Sequence, residues 1–370
     1  MIAVEKFTLT IFSKRLKTPF ITNLETVQDR TAILVEIIDK QGLSGYGEAV
    51  AFSSPWYTEE TVSTCFHMLK DFFIPFLAKQ SISHPNEITP LLDQHFKRNQ
   101  MAKAAIETAY WDLYAKSKQI SLSKLLGGTR TEIPSGVVVG TASVQEAIGQ
   151  IESYLLDGYQ RVKVKINPKN DLDFIAGIRS YFPNLPIMAD ANSAYTLQQI
   201  DQLMALDQFG LLMIEQPLAH DDIIDHALLQ KELKTPICLD ESIVTFDDAR
   251  KAIQIGSCRV INIKIGRVGG LFTAKKIHDF ATQHEIPVWC GGMLEFGVSR
   301  AHNIALASLH GFTIPGDISA SSRYWEEDVV LPEVVVNNGY IRVPEGPGIG
   351  VTINEKSLMK SMLHQEVVRA

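Results

Sequence analysis

The chain has 370 residues, of which 45% are hydrophobic and 21% charged, with a formal net charge of −7. That length exceeds one compact core, so two domains are expected, and the composition is that of a soluble globular protein. The acidic balance argues against a nucleic-acid or anionic-membrane partner, since both need a basic patch. No apolar run approaches the ~18 residues of a membrane helix. The first ten residues lack the charged and apolar regions of a signal peptide, so a cytoplasmic location is expected. Cys65, Cys238, Cys258 and Cys290 form no Cys-x-x-Cys pair, which argues against a zinc knuckle or thioredoxin-like motif. Cys238 and Cys290 lie in apolar runs and read as buried thiols.

In chain order, residues 2–12 and 31–38 read as strands, and Gly42, Gly45 and Gly47 are expected in tight turns before Glu48. Helical stretches follow near 58–76, 86–96 and 100–116. Strands first and helices after predict an α+β capping domain over residues 1–125. From Pro134 the rhythm changes. Short apolar runs at 136–139, 161–166, 186–189, 211–214, 236–239, 260–263, 287–289 and, weakly, 312–315 alternate with stretches long enough for a helix each. Nearly all-apolar runs suit strands buried on both faces. The pattern predicts an α/β fold with a parallel βα barrel over residues 126–325. An open doubly wound sheet shares this alternation, but no Gly-x-Gly-x-x-Gly follows the first run. Residues 326–370 read as strands and turns that return to the capping domain.

Five ionisable residues end consecutive apolar runs: Lys165, Asp190, Glu215, Asp240 and Lys264, in steps of 25, 25, 25 and 24 residues. One βα unit takes about that length, because ~250 residues make eight units. The five therefore fall side by side around the C-terminal mouth, where barrel active sites are built. Three adjacent carboxylates repel one another unless a cation neutralises them. An all-oxygen donor set from Asp190, Glu215 and Asp240 favours a hard ion, Mg²⁺ first and Mn²⁺ second. Lys165 and Lys264 flank the carboxylates and face each other across the ion. A lysine beside cationic groups loses its proton more readily, which suits a base. A single Asp or Lys at a strand end is ordinarily a cap or a solvated loop residue; five in register are hard to obtain from surface composition.

With Lys163 and Lys165 as Lys-x-Lys, the three carboxylates and Lys264, the sequence resembles the enolase superfamily, in its muconate-lactonizing subgroup. Met101–Ala105, Asp190-Ala-Asn-Ser-Ala-Tyr195, Ile214-Glu-Gln-Pro217, Ile237–Ser242, Gly266-Arg-Val-Gly-Gly270, Trp289–Met293 and Pro315–Ala320 are similar to the group of o-succinylbenzoate synthases that overlaps with N-acylamino acid racemases. The resemblance spans nearly the whole chain. It implies a (β/α)7β TIM-like barrel, a Mg²⁺ cofactor, a small-molecule carboxylate substrate and a dehydration in menaquinone biosynthesis. A homo-oligomer is also expected.

On that footing the substrate carboxylate meets the metal, Lys165 takes the α-proton and returns it to the leaving hydroxyl, and Lys264 stabilises the enediolate as a cation. In racemisation both lysines exchange protons, one on each face. Lys163 points to the same side of its strand as Lys165 and is expected to lower its neighbour's pKa. Asn192 falls within the Asp-Ala-Asn segment. Glu241 orients a lysine or metal ligand, or is simply a helix N-terminal charge. Arg267 lies just past Lys264, a position that the resemblance associates with racemase-capable members. Segments 20–25 and 52–57, including Phe52 and Trp56, are similar to two capping loops. Gly291, Gly292, Met293 and Glu295, after the seventh run, and Ser319, after the eighth, are expected to line the substrate pocket. His220 and His226 are expected at the surface.

Departures from neighbouring groups narrow the reading. The Asp-x-Asp of dipeptide epimerases would fall on Asp317-Ile-Ser319, which lacks the second acid, and Pro287-Val-Trp-Cys290 has no seventh-strand histidine of the mandelate-racemase type. A muconate cycloisomerase remains open. A Schiff-base aldolase leaves the carboxylates without a role, and a structural metal site needs no flanking lysines.

Overall fold

The computed structural model describes residues 2–21 and 25–369. The cap begins with an antiparallel sheet of β1 (Val4–Ile21), β2 (Thr26–Asp39) and β3 (Ser44–Ala49). Leu9 pairs with Val35, and Phe7 with Ile37. Alternation puts these four on one buried face, against helix α1 (Gln100–Ser117). Gly45 and Gly47 correct the sequence expectation, because they lie inside β3 rather than in turns. A Cβ on them would come within 2.4 Å of the Ala109 oxygen and 2.0 Å of the Ala105 oxygen. Glycine lets the helix backbone approach the sheet directly. Of the three glycines only Gly42, at φ +83°, makes the turn.

The barrel follows the expected runs. Strands β4 (Val137–Val139), β5 (Val162–Lys165), β6 (Ile187–Asp190), β7 (Ile214–Glu215), β8 (Ile237–Leu239), β9 (Val260–Ile263) and β10 (Val288–Cys290) pair in sequence order, all parallel. A helix follows each strand, the last two being α2 (Leu271–Gln283) and α3 (Gly297–Ala307). The weak eighth run closes the ring by isolated parallel bridges only: Phe312 to Val288, and Gly316 to Ser135. The architecture is α/β, a (β/α)7β barrel with an antiparallel-stranded cap.

The chain's end returns to the cap. Strand β11 (Met362–Arg369) pairs antiparallel with β1, so the sheet order is β11-β1-β2-β3. Inside the barrel, Met188, Met213, Cys238, Val260 and Trp289 form a buried apolar layer. Two residues further along four of these strands the same inward face carries Asp190, Glu215, Asp240 and Asn262. The barrel interior thus changes from apolar to charged within one layer.

Candidate active site

Parallel pairing sets Lys165 opposite Asp190 and Asp190 opposite Glu215. Glu215 faces Cys238, so Asp240 stands two residues higher; Val260 also faces Cys238, which lifts Lys264 two residues above the level of Asp240. The row climbs around the mouth as strand tilt in a barrel requires.

Each carboxylate meets a cation. Lys165 donates to Asp190 Oδ2 at 2.6 Å and to Asn192 Oδ1 at 2.5 Å. Asn192 in turn donates to Glu241 Oε1 at 3.0 Å. Lys163 donates to Glu215 Oε2 at 3.1 Å and pairs with Asp317 at 2.5 Å. Lys264 donates to Asp240 Oδ2 at 2.8 Å and to the Tyr57 hydroxyl at 2.8 Å. Arg267 is bonded to the other oxygen of Asp240 and donates to the carbonyls of Ile243 and Asn262. Asn262 donates to Glu215 Oε1 at 2.7 Å.

Burial and charge pull these groups in different directions. Burial works against the Asp190 anion, but Lys165 and Lys163 outweigh it and hold the carboxyl at about 2. Glu215 is pushed up by burial and by Asp190. Glu241 is pushed up by burial despite Lys264. Burial opposes the Lys264 cation, yet Tyr57, Glu241 and Glu215 keep it above the ordinary lysine range. Lys163 likewise resists burial through Asp317, Glu215 and Asp190. Its charge is therefore compensated by carboxylates, an arrangement the reading of Lys163 as an influence on Lys165 did not include.

A cavity of about 90 Å³ opens on these groups, lined by Lys163, Lys165, Asp190, Asn192, Asp240 and Lys264. Its outer wall contains Phe20, Phe52, Trp56, Gly292, Met293 and Ser319. Phe20, Phe52, Trp56 and Tyr57 bring both cap loops into its wall, so the cap reaches onto the site. Glu25 accepts from the Ser54 hydroxyl at 3.1 Å and joins the two loops; residues 22–24 of the first loop lie outside the described residues.

The sequence matches known proteins along its whole length. Residues 6–127 match the mandelate racemase / muconate lactonizing enzyme N-terminal domain, and residues 146–357 match the enolase C-terminal domain-like family. The chain belongs to the enolase superfamily. It is 55% identical to the o-succinylbenzoate synthase of Bacillus subtilis (strain 168) over 99% of both chains. It is 43% identical to the N-succinylamino acid racemase of Thermus thermophilus, again over 99% of both. A crystal structure of an enolase-superfamily protein from Listeria innocua aligns with a TM-score of 0.96 at 44% identity, covering 100% of each chain.

Enolase-superfamily sites use a divalent metal, and the donor set here suits one. Asp190, Glu215 and Asp240 offer hard oxygen ligands, all buried. Glu241 Oε2 is buried with no hydrogen-bond partner. Burial, with the neighbouring Asp190 carboxylate adding to it, pushes Glu215 and Glu241 up, and a cation bound beside them would offset both effects. Among the described residues no three acidic, His or Cys side chains already converge on one point, because each carboxylate is turned toward a cation.

Glu215, Glu241, Arg267 and Gly291 differ from the other expected residues in not lining this cavity. Glu215 lies beneath it, fully buried. Glu241 and Arg267 face a second cavity of about 770 Å³ on the far side of Trp56 and Tyr57. His226 corrects the sequence expectation: it is fully buried, and its Nε2 accepts the Leu218 N–H at 3.1 Å. His220 is exposed as expected. The sequence reading missed Asn262, Arg300 and the hydroxyl of Tyr57 and gave Asp317 no part in the site, while Glu295 lines the cavity as expected. Asn262 was accessible to it, since it stands two residues before Lys264 on the same strand face.

Proposed function

We propose that the chain is an o-succinylbenzoate synthase, a hydro-lyase that removes water from 2-succinyl-6-hydroxy-2,4-cyclohexadiene-1-carboxylate in menaquinone biosynthesis. One observation carries the chemistry: Lys165 and Lys264 stand at opposite ends of a buried carboxylate row and line the same cavity. Identity of 55% with a named synthase over 99% of the chain supports the substrate.

Asp190, Glu215 and Asp240 would hold the divalent ion, Mg²⁺ with Mn²⁺ as the alternative, leaving both lysines to the substrate. When bound, that ion supplies fixed positive charge for the substrate carboxylate. Lys165, as a neutral amine, takes the α-proton and delivers it to the hydroxyl departing on the same face. Lys264 stays charged and stabilises the enediolate from the opposite face. Phe52, Trp56 and Tyr57 exclude water from the reacting carbon, with cap opening needed to admit substrate.

N-succinylamino acid racemisation is the second reading, favoured by the two opposed lysines and by 43% identity to a named racemase. We further divide the chain into a cap of residues 1–125, a barrel of 126–325 and a return segment of 326–370. A cytoplasmic location fits a chain in which no helix among the described residues is long and apolar enough to cross a membrane. A homo-oligomer is supported by exposed Met359, Leu363 and Val367 on and beside the terminal edge strand. The deciding assay mixes purified protein and Mg²⁺ with the cyclohexadiene substrate and, separately, with N-succinylamino acids. Rapid aromatisation of the first is expected; turnover of neither would remove both readings.

A further inference from the structure

Arg30 is 1% exposed on β2. Its Nε donates to the Leu294 carbonyl at 3.1 Å. Nη1 donates to the carbonyls of Thr31 at 2.6 Å and Ala51 at 2.7 Å, and Nη2 to that of Val50 at 2.6 Å. The guanidinium also lies 4.5 Å from the centroid of the Phe52 ring. A buried cation normally pairs with a carboxylate; all four of these bonds end on neutral backbone. Burial pulls the Arg30 pKa down to about 10, with Glu48 and Glu295 opposing from further off.

Besides Thr31, its neighbour on β2, the bonded carbonyls belong to two segments that meet at the pocket. Val50 and Ala51 lead into Phe52 and Trp56, whose rings are 4.6 Å apart. Leu294 belongs to the loop after β10, where Met293, Leu294 and Glu295 form the facing wall. Leu294 holds φ +56°, the left-handed region that a leucine rarely adopts. Glu295 fixes the same loop by accepting the Met293 N–H and the Asn303 amide. A planar fork of donors fixes direction as well as distance, which an ammonium on a flexible stem does not.

We propose that Arg30 is a positioning residue for substrate selection, setting the cap wall at Phe52–Trp56 and the barrel wall at Met293–Glu295 in one register without touching substrate. The inference rests on the reading that these walls enclose the substrate.

Arg30→Lys and Leu294→Gly test it. Glycine suits the left-handed backbone at this position, so Leu294→Gly keeps the loop's conformation while removing the buried side chain that packs in the barrel wall. The ratio of kcat/KM for N-succinyl-phenylalanine to that for N-succinyl-alanine is expected to change at least about fivefold in both variants, a shape effect typical of one or two methylenes. The loss should fall mainly on KM, and Mn²⁺ affinity followed by electron paramagnetic resonance should stay within about twofold of wild type, since no metal-side group is altered. Hydrogen exchange should quicken in residues 50–57 and 291–296 together in Arg30→Lys. An unchanged substrate ratio, or faster exchange in one segment alone, would overturn the inference. Failure of wild type to turn over any of these substrates or the cyclohexadiene would instead overturn the proposed function.

Discussion

The backbone N–H of Leu271, at the start of barrel helix α2, donates to Glu107 Oε2 of the cap helix at 2.8 Å. Phe272 N–H and Trp111 Nε1 donate to the other oxygen, each at 2.8 Å. Glu48 of β3 repeats the device at α3, accepting from Phe296 at 2.8 Å and Ser299 at 2.9 Å. Two buried carboxyl groups from the cap therefore satisfy unpaired N–H groups at barrel helix N-termini.

Glu107→Gln should weaken this docking, because one amide end must face an N–H donor. A buried hydrogen bond replaced by an unsatisfied donor costs ~1–3 kcal/mol. Burial raises the Glu107 carboxyl to about 7, so its contribution is full below the ordinary carboxylate pKa and is lost as pH rises through about 7. The Tm gap between wild type and Glu107→Gln is thus expected to narrow as the pH rises from about 4.5 to 7. A gap that widens over that range would show the anion to be the favoured buried form.

Metal binding should be visible without turnover. At a hundredfold excess over Kd, a ligand specific to the folded state adds ~2.7 kcal/mol. Mg²⁺ is expected to raise the Tm by several degrees, and a chelator to reverse this and abolish activity. In Glu215→Gln, which stays folded, both effects should vanish. A melting curve indifferent to Mg²⁺ and chelator would remove Asp190, Glu215 and Asp240 as a metal site.

Lys165→Ala should abolish dehydration and racemisation alike. Lys264→Arg retains a cation but loses a transferable proton, so racemisation should fall at least ~10²-fold, the lower range for a general base. Dehydration should fall less, although Arg267 beside Asp240 leaves little room for a second guanidinium. In D₂O, wild type should exchange the α-proton of both enantiomers of an N-succinylamino acid and the variant that of only one. Exchange of both at wild-type rates would show that Lys264 is not the second base.

Asp317→Asn should destabilise the chain strongly. Its carboxylate pairs with Lys163 at 2.5 Å and Arg161 at 2.8 Å, both cations being buried. Burial opposes the Asp317 anion, but Lys163 and Arg161 hold its pKa well below the usual carboxylate range, so its contribution is present at neutral pH and lost in acid. Removing one partner of a buried pair costs ~3–5 kcal/mol. A denaturant midpoint unchanged at pH 7 would mean that solvent already reaches both cations.

The barrel and its row of charges were legible in the sequence because both are local. A strand buried on two faces must be apolar along its length, and a βα unit has a nearly fixed length, so Lys165, Asp190, Glu215, Asp240 and Lys264 recur at one period. Contacts between distant segments leave no such mark. Arg30 meets Leu294 across 264 positions, Glu107 meets Leu271 across 164, and Lys264 meets Tyr57 across 207. Nothing around Gly45 and Gly47 announces the helix that presses on them, and His226 looks like any polar residue on a helix until Leu218 folds over it. The sequence alone determined which residues reach the barrel mouth, since periodicity is a property of neighbours along the chain. Tertiary structure decided which of the remaining charges are buried and paired, because the stability of a buried charge depends on partners that only folding brings within reach.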